Sequence, residues 1–240
     1  MSGRALVTRP RADAQGITRA LEARGLTVQL EPLLDIVLRQ GVALPLDGVQ
    51  GVLATSANGI RALAANGAPR DLPVWAVGAA TADCAKALGF SIVERAGGDV
   101  ATLADLVMDR VDPGAGALLH AAGDTLAGDL SGALGAHGFA VRRLTLYDAR
   151  AAEAFSPALI EALNAEELGL ALFFSPRTAA TFARLMDVAG RGDACRAISA
   201  YALSQAVAER LAVLPWRQVR IAREPDQTAL LAVIDADRGH

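Results

Sequence analysis

The chain has 240 residues, of which 52% are hydrophobic and 20% charged, and its formal net charge is −3. This length suits two small domains or one large one, and a slightly negative charge gives no electrostatic support for a nucleic-acid partner. No apolar run approaches the roughly 20 residues that cross a bilayer, and the first residues, MSGRALVTRP, lack the apolar core of a signal peptide. We therefore expect a cytoplasmic protein with no nucleic-acid or membrane partner.

Short apolar runs alternate with segments of helical periodicity along the whole chain. The predicted strands cover residues 4–7, 28–30, 51–54, 74–77, 91–94, 117–121, 139–144, 170–174, 196–198 and 219–222. The helices between them show apolar faces, such as the one formed by Leu126, Leu130 and Leu134. Because strands and helices alternate, the expected fold class is α/β, with parallel sheets that carry helices on both faces.

Two longer apolar stretches, VQLEPLLDIVL (28–38) and FAVRRLTLYDAR (139–150), each follow a helix-like segment that ends in a glycine step. Each is too long for one ordinary strand. We interpret both as strands that complete one sheet and then run on as connectors between two bodies. Two connectors between the same bodies predict a cleft between them, and Tyr147 lies on the return connector, where it could face that cleft.

Internal similarity indicates that the two bodies share one design. Residues 51–63 resemble 170–182, residues 73–88 resemble 195–211, and residues 4–28 resemble 116–141. The N-terminal βαβ unit of one body thus matches the C-terminal βαβ unit of the other. We predict a first α/β domain of residues 1–36 plus 148–240, a second α/β domain inserted at 42–142, and a two-stranded connector formed by 37–41 and 143–147.

The carboxyl ends of the predicted strands carry hydroxyl groups, glycines and arginines. In open parallel sheets, ligands bind at these ends, beside helix N-termini whose free N–H groups suit carboxylates or phosphates. The plain alternative is that the serines and threonines only cap helices. The residues concerned are Thr8, Arg9, Thr55, Ser56, Gly78, Thr81, Gly123, Ser175, Arg177 and Ser199.

Motifs for familiar cofactors and metals are absent. The chain has no GxGxxG after a strand, no GxxxxGK[ST], no GxSxG and no HExxH. Cys84 and Cys195 lie singly in helical segments and are interpreted as small core residues. His120, at the end of a predicted strand, is interpreted as structural, with a catalytic role as the alternative. No metal or cofactor is expected.

Six phrases, taken in order, resemble uroporphyrinogen-III synthases over nearly the whole chain. They are LVTRP, LEPLLDI, ATSANGIRAL, AVGAATADCAKALGF, LYDAR and FFSPRTAATF. The resemblance implies two α/β bodies joined by a two-stranded connector and a cofactor-free, monomeric enzyme of tetrapyrrole biosynthesis. Its substrate would be the polycarboxylate hydroxymethylbilane, closed to uroporphyrinogen III through an azafulvene and a spiro intermediate, with loss of water and inversion of ring D.

The resemblance also implies roles for single residues. Tyr147 matches the tyrosine on the family's return connector and would assist departure of the hydroxyl group; the alternative is an interface aromatic with a satisfied hydroxyl. Thr81, Ser56 and Ser175 match hydroxyl positions of the family's turns. The phrase ISAYA at 198–202 departs from the family's Thr-Ala pair, and Ser199 would stand in for it. Arg9 and Arg177 would pair with substrate carboxylates, unless they are only solvated.

Two other classes of function remain open at this point. A non-catalytic protein with two hinged lobes that sense a small anion would need the same cleft, and it would explain the lack of strong catalytic residues. A two-lobed glycosyltransferase-like enzyme is the third possibility, weakened by the small size and the missing phosphate-binding loop.

Overall fold

The computed structural model describes residues 3–125 and 128–239, and eleven β-strands form within these ranges. The strands are β1 (Arg4–Val7), β2 (Thr27–Leu30), β3 (Leu34–Leu38), β4 (Val49–Ala54), β5 (Val74–Ala76), β6 (Val93–Arg95), β7 (Ala117–Gly123), β8 (Val141–Ala151), β9 (Leu168–Phe173), β10 (Ser199–Ala202) and β11 (Gln218–Ile221). Leu126, one of the predicted helix-face residues, lies outside the described residues.

Nine α-helices join these strands in the same described ranges. They are α1 (Arg11–Glu22), α2 (Ala57–Ala65), α3 (Ala79–Ala87), α4 (Val100–Arg110), α5 (Leu130–Gly135), α6 (Pro157–Asn164), α7 (Pro176–Val188), α8 (Gln205–Leu211) and α9 (Gln227–Arg238), with short 3-10 helices at Pro113–Ala115 and Gly192–Ala197. Six helices begin at a serine or aspartate side chain that accepts a backbone N–H of the first turn. None of the described helices has the length and apolar character needed to cross a membrane.

The described chain divides into two compact units. Residues up to Asp35 and from Arg150 onward form the unit that we call unit 1, and Ile36–Ala149 form unit 2. The chain passes from one unit to the other within β3 and within β8. The boundaries predicted from the sequence, 1–36 plus 148–240 for the first domain and 42–142 for the second, remain a prediction about separate domains.

Unit 1 is a five-stranded sheet in the order β11-β10-β9-β1-β2, and its strand pairs are parallel. Alternation along β1 sends side chains to both faces. Ala5 and Val7 pack with residues of α1 and α9, whereas Leu6 packs with residues of α6, α7 and α8. Because all three are fully buried, β1 is an interior strand of a helix–sheet–helix sandwich.

Unit 2 is built in the same way around β4. Its sheet has the order β3-β8-β7-β4-β5-β6, with parallel pairing from β8 through β6. Val52 and Ala54 pack with residues of α2 and α3, whereas Leu53 packs with residues of α4 and α5. Both faces of this sheet are therefore covered by helices as well.

The two sheets share one strand order. Each of five strands in unit 2 corresponds to one strand of unit 1, since the order β6-β5-β4-β7-β8 matches the order β11-β10-β9-β1-β2. The pairs β4 with β9, β5 with β10 and β7 with β1 are those indicated by the internal sequence similarity. The predicted α/β class with two parallel-rich sheets is confirmed, and unit 2 is a circularly permuted form of unit 1.

Two predicted strands need correction. The segment predicted as a strand at 196–198 belongs mostly to the 3-10 helix Gly192–Ala197, and β10 begins only at Ser199. The stretch 28–38 is not continuous, since residues 31–33 separate β2 from β3. The return stretch, in contrast, forms one strand of 11 residues, β8.

Candidate functional site

Each sheet has a switch point, where the connections leave in opposite directions from two neighbouring strands. It lies between β1 and β9 in unit 1 and between β4 and β7 in unit 2. Ligands of open parallel sheets bind outside the carboxyl ends of the strands at such a point. In unit 2 the residues at these ends are Thr55 and Ser56 after β4 and Gly123 at the end of β7.

Tyr147 joins this group through the register of the sheet. In the pairing of β7 with β8, Gly123 is aligned with Tyr147. The Tyr147 hydroxyl lies 2.8 Å from Oγ of Ser56, and either group can donate this hydrogen bond. Ser56 also caps α2 by accepting the backbone N–H of Gly59 at 3.3 Å. The tyrosine thus reaches from β8 across β7 to the N-terminus of α2, and its side chain is only 9% exposed.

Glycine at position 123 makes this crossing possible. A β-carbon there would lie 2.7 Å from both Cε2 and Cζ of Tyr147 and 3.0 Å from its hydroxyl oxygen. These distances are well inside ordinary carbon–carbon contact of about 3.5–4.0 Å. The backbone at Gly123 is held in place by Arg143, whose Nη2 donates to its carbonyl oxygen at 2.8 Å.

A second glycine brings α2 close to β7. A β-carbon at Gly59 would lie 2.3 Å from the carbonyl oxygen of Ala121. The first turn of α2 therefore packs directly on the backbone of β7. This contact sets the position of Ser56, because Ser56 is the residue that caps the same turn.

Thr55 is linked to a buried histidine. Oγ1 of Thr55 lies 3.2 Å from Nε2 of His120, whose side chain is 2% exposed. Burial and the nearby positive charge of Arg143 lower the pKa of His120 to about 4, so the imidazole is neutral near pH 7. Its Nδ1 has no hydrogen-bond partner within residues 3–125 and 128–239. His120 was expected at the end of a strand, but it lies inside β7, and its Nε2 contacts Thr55.

Gly78 and Thr81 lie at the N-terminus of α3. Gly78 is the residue before the helix, and a β-carbon on it would come within 3.2 Å of Cα of Gly98. Thr81 lies in the first turn and is 5% exposed. Since Gly78 has no side chain to cap the helix, the first backbone N–H groups of α3 are left to other acceptors.

In unit 1 the switch point carries Arg9 and the start of α7. The guanidinium carbon of Arg9 lies 4.3 Å from the ring centre of Phe174, and Nη1 of Arg9 donates to Gln227 at 3.5 Å. Ser175 caps α7 by accepting the N–H of Thr178 at 3.2 Å, and the two hydroxyls are 2.8 Å apart.

Arg177, predicted with Arg9 as a carboxylate partner, follows in the first turn of α7. Like Arg9 it is half-buried. Among the predicted substrate-binding residues, Arg9, Ser175 and Arg177 therefore come together at the carboxyl end of the unit 1 sheet.

Ser199 is not part of this group. It is the first residue of β10 and lies opposite Leu170 in β9, so it is at the amino edge of the sheet. Its Oγ accepts from Nε2 of Gln218 at 3.1 Å. The placement of Ser199 at a carboxyl end was wrong because the strand starts three residues later than predicted. Ser204, which precedes α8, occupies the expected position instead.

No group of three or more His, Cys, Asp or Glu residues in the described part of the chain is arranged to hold a metal ion. The chemistry that the unit 2 group offers is hydrogen bonding by hydroxyl groups and by backbone N–H groups at helix N-termini. Such groups bind carboxylates and can assist a leaving hydroxyl.

The chain is similar to known proteins both in sequence and in structure. The sequence model described as "HEM4: Uroporphyrinogen-III synthase HemD" matches residues 15–232. Among solved structures, a mutant uroporphyrinogen III synthase from Thermus thermophilus is 21% identical over 99% of each chain, with a TM-score of 0.58. The uroporphyrinogen-III synthetase of Helicobacter pylori is 14% identical over 99% of this chain and 100% of that one, with a TM-score of 0.66.

The two structural likenesses show a shared fold. No curated protein sequence matches the chain significantly. Assignment to a family comes from the sequence model, which spans most of the chain. The chain therefore belongs to the uroporphyrinogen-III synthase family.

Proposed function

We propose that the protein closes linear hydroxymethylbilane to uroporphyrinogen III, with loss of water and inversion of ring D. The observation that carries this proposal is the match of residues 15–232 to the family's sequence model. The contact between Ser56 and Tyr147 at the switch point of unit 2 supports it, because it gives a hydroxyl pair at a position where ligands of such sheets bind.

The substrate's carboxylates find suitable partners at the helix N-termini. The starts of α2, α3 and α7 follow carboxyl ends of strands, and each carries free N–H groups and the positive end of a helix dipole. Arg9 adds a guanidinium group at the switch point of unit 1. We infer that backbone N–H groups contribute more to carboxylate binding than the capping hydroxyls, since Ser56 and Ser175 are already occupied as caps.

Tyr147 is the residue that we infer to act on the leaving group. A phenol keeps its proton at neutral pH and can donate a hydrogen bond to the departing hydroxyl. Ser56 can donate to the phenol oxygen at the same time, because its own cap bond uses Oγ as an acceptor. Proton transfer from the phenol to the departing hydroxyl releases water and gives a cationic azafulvene, and the phenolate is reprotonated when the pyrrole carbon that closes the ring loses its hydrogen. The remaining task is to hold a conformer that closes through the spiro intermediate.

The test is an assay of the purified protein with freshly prepared hydroxymethylbilane, without added metal or nucleotide. Products are oxidised and the type I and type III isomers are separated. We expect the type III isomer. Type I alone, which unassisted closure gives, would contradict the proposal.

Two further properties are part of the proposal. We infer a monomeric enzyme that acts in the cytoplasm. The hydroxyl pair of the candidate site, Ser56 and Tyr147, comes from a single chain, so this pair needs no residue of a partner subunit. Light scattering at assay concentrations measures the oligomeric state, and cell fractionation measures the location.

A further inference from the structure

Unit 1 contains a cavity of about 210 Å³ that has no part in the proposed reaction. It lies at the amino ends of β9 and β10, beside β11 and the last turn of α9, and we call it the β10–α9 pocket. Ser199 and Gly169 line it. Arg9 and Ser175 lie at the other, carboxyl edge of the same sheet. The pocket is thus separate from the residues inferred to bind the substrate.

The carboxylate of one aspartate that lines the pocket already accepts hydrogen bonds from several neighbouring side chains. The carboxylate of Asp237 accepts from Arg220 at 2.9 and 3.0 Å, from Gln218 at 3.2 Å and from the Tyr201 hydroxyl at 3.2 Å. Burial and the charge of Asp237 raise the pKa of Tyr201 to about 12, so the phenol stays a donor. Asp237 therefore balances Arg220 and has little capacity left for another cation.

Two more arginines line the pocket without a carboxylate partner. Arg217 is an exposed residue that lines the pocket and makes no side-chain hydrogen bond or ion pair with any described residue. Arg238 makes one long contact, 3.5 Å from Nη2 to the carbonyl oxygen of Arg24, and its buried Nε is without a partner among described residues. A buried donor that has no acceptor destabilises the fold, because it has lost its hydrogen bonds to water. Nε of Arg238 is therefore a position that an incoming acceptor would stabilise.

The charge balance of the pocket is positive. Three arginines face one aspartate, which leaves an excess of two positive charges. The carbonyl end of α9, where Arg238 is the last residue, contributes about half a negative charge. This reduces the excess without removing it.

We propose that the β10–α9 pocket binds a small phosphate group. An arginine fork matches the oxygens of a phosphate or carboxylate with paired hydrogen bonds, and a dianion matches the excess charge better than a carboxylate does. The buried Ser199 accepts from Gln218 and keeps its own hydrogen to donate. The volume holds several water molecules, enough for inorganic phosphate or the head of a small phosphate monoester.

Calorimetric titration of the full-length protein with inorganic phosphate, at constant ionic strength, tests the proposal. We expect saturable binding in the millimolar range and a shift of the Arg238 Nε–H resonance in nuclear magnetic resonance spectra. Acetate should bind more weakly, and chloride should cause no saturable change. Glycerol 3-phosphate, titrated in parallel, distinguishes a monoester ligand, which would bind at least as tightly as inorganic phosphate, from inorganic phosphate itself.

Variants that each remove one arginine charge show whether phosphate binds in the pocket or is attracted to the surface in general. Arg217→Gln and Arg238→Gln should each weaken phosphate binding about tenfold or more, with unchanged circular dichroism. Arg196→Gln is the control, because Arg196 is a 70% exposed arginine of the same unit, paired with Asp193. Lack of saturation, or an equal loss of affinity in the control, would show only diffuse attraction and would overturn the proposal. A type III product with no phosphate binding would overturn it while leaving the proposed function intact.

Discussion

Replacing Gly123 with alanine is the most direct way to test the link between Tyr147 and Ser56. The added β-carbon would lie 2.7 Å from two ring carbons of Tyr147. To reach ordinary contact of about 3.5 Å, the ring must move by about 0.8 Å or more. A shift of this size away from Ser56 takes the 2.8 Å hydroxyl contact beyond the range of a hydrogen bond. The change therefore displaces the phenol and leaves its chemistry intact.

The expected kinetic effect follows from the loss of position. A misplacement of about 1 Å can cost up to ~10²-fold, and general acid assistance contributes ~10²–10⁴-fold. Because the hydroxyl leaves readily from an electron-rich pyrrole, we expect a fall in kcat of about 10- to 100-fold for Gly123→Ala. Overpacking should also lower the free energy of unfolding by about 1–3 kcal/mol, which urea denaturation measures.

A double-mutant cycle separates displacement of Tyr147 from general damage. Gly123→Ala, Tyr147→Phe and the double variant are assayed for the rate of type III product. If Gly123 acts through the phenol, the double variant is no slower than the slower single one. Gly135→Ala is the matched control, because a β-carbon there meets nothing within 4 Å, and its kcat should equal that of the wild type. Wild-type kcat in Gly123→Ala, or fully additive losses, would refute the reasoning.

Three further predictions concern single side chains. Tyr147→Phe keeps the ring and should lower kcat about 10- to 100-fold while the product stays type III; wild-type turnover would leave Tyr147 a structural aromatic. Ser56→Ala should cost about 1 kcal/mol of unfolding free energy, as loss of a cap does, and only a few-fold in kcat, since the N–H groups of α2 remain; abolished activity in a folded variant would show that the hydroxyl is essential. The pKa of His120 is lowered to about 4 in the folded protein, whereas a histidine in the unfolded chain titrates at ~6.5. Burial of neutral His120 therefore does not reduce the free energy of unfolding above about pH 6.5. Below that pH the free energy of unfolding falls, by up to about 3 kcal/mol as the pH drops towards 4. Urea denaturation across this range should show a flatter dependence for His120→Leu, and an unchanged slope would argue against His120 as the cause.

The layered architecture could be predicted because local sequence patterns indicate its strands and helices. Apolar runs such as ALV in β1 and GVLA in β4 are typical of buried parallel strands. The similarity between 4–28 and 116–141 predicted which segments correspond, and the shared strand order confirms it. Caps at Ser56 and Ser175 could be recognised from residue type and position alone.

The errors lie where a distant partner decides the local structure. Ser199 and Tyr201 interrupt the apolar pattern of β10, yet both are buried because Ser199 accepts a hydrogen bond from Gln218 and Tyr201 donates one to Asp237. The break after β2 has a similar cause. Glu31 is 6% exposed and accepts from both the backbone N–H and the hydroxyl of Ser156, at 2.7 and 2.6 Å. No short-range pattern indicates a partner so far along the chain.

The hydroxyl pair of the candidate site also depends on geometry that residue types do not specify. Ser56 and Tyr147 were both singled out from the sequence, but their contact requires the alignment of Tyr147 with Gly123. A register shift between Ala122 and Gly123 sets that alignment. Shifting it by one residue would turn the tyrosine to the other face of the sheet. Both residues of the pair could therefore be predicted from the sequence, but their contact could not.

The insertion of unit 2 into unit 1 has a consequence for biosynthesis. Unit 2 is one continuous segment, Ile36–Ala149, whereas β1 of unit 1 pairs with β9, which begins only at Leu168. At a typical ~5–20 residues per second, the ribosome needs roughly 10–30 s to extend the chain from one of these strands to the other. Throughout that interval Ala5, Leu6 and Val7, fully buried in the finished protein, lack one of their two neighbouring strands. The nascent chain thus contains a complete unit 2 before β1, an interior strand of unit 1, can pair with β9.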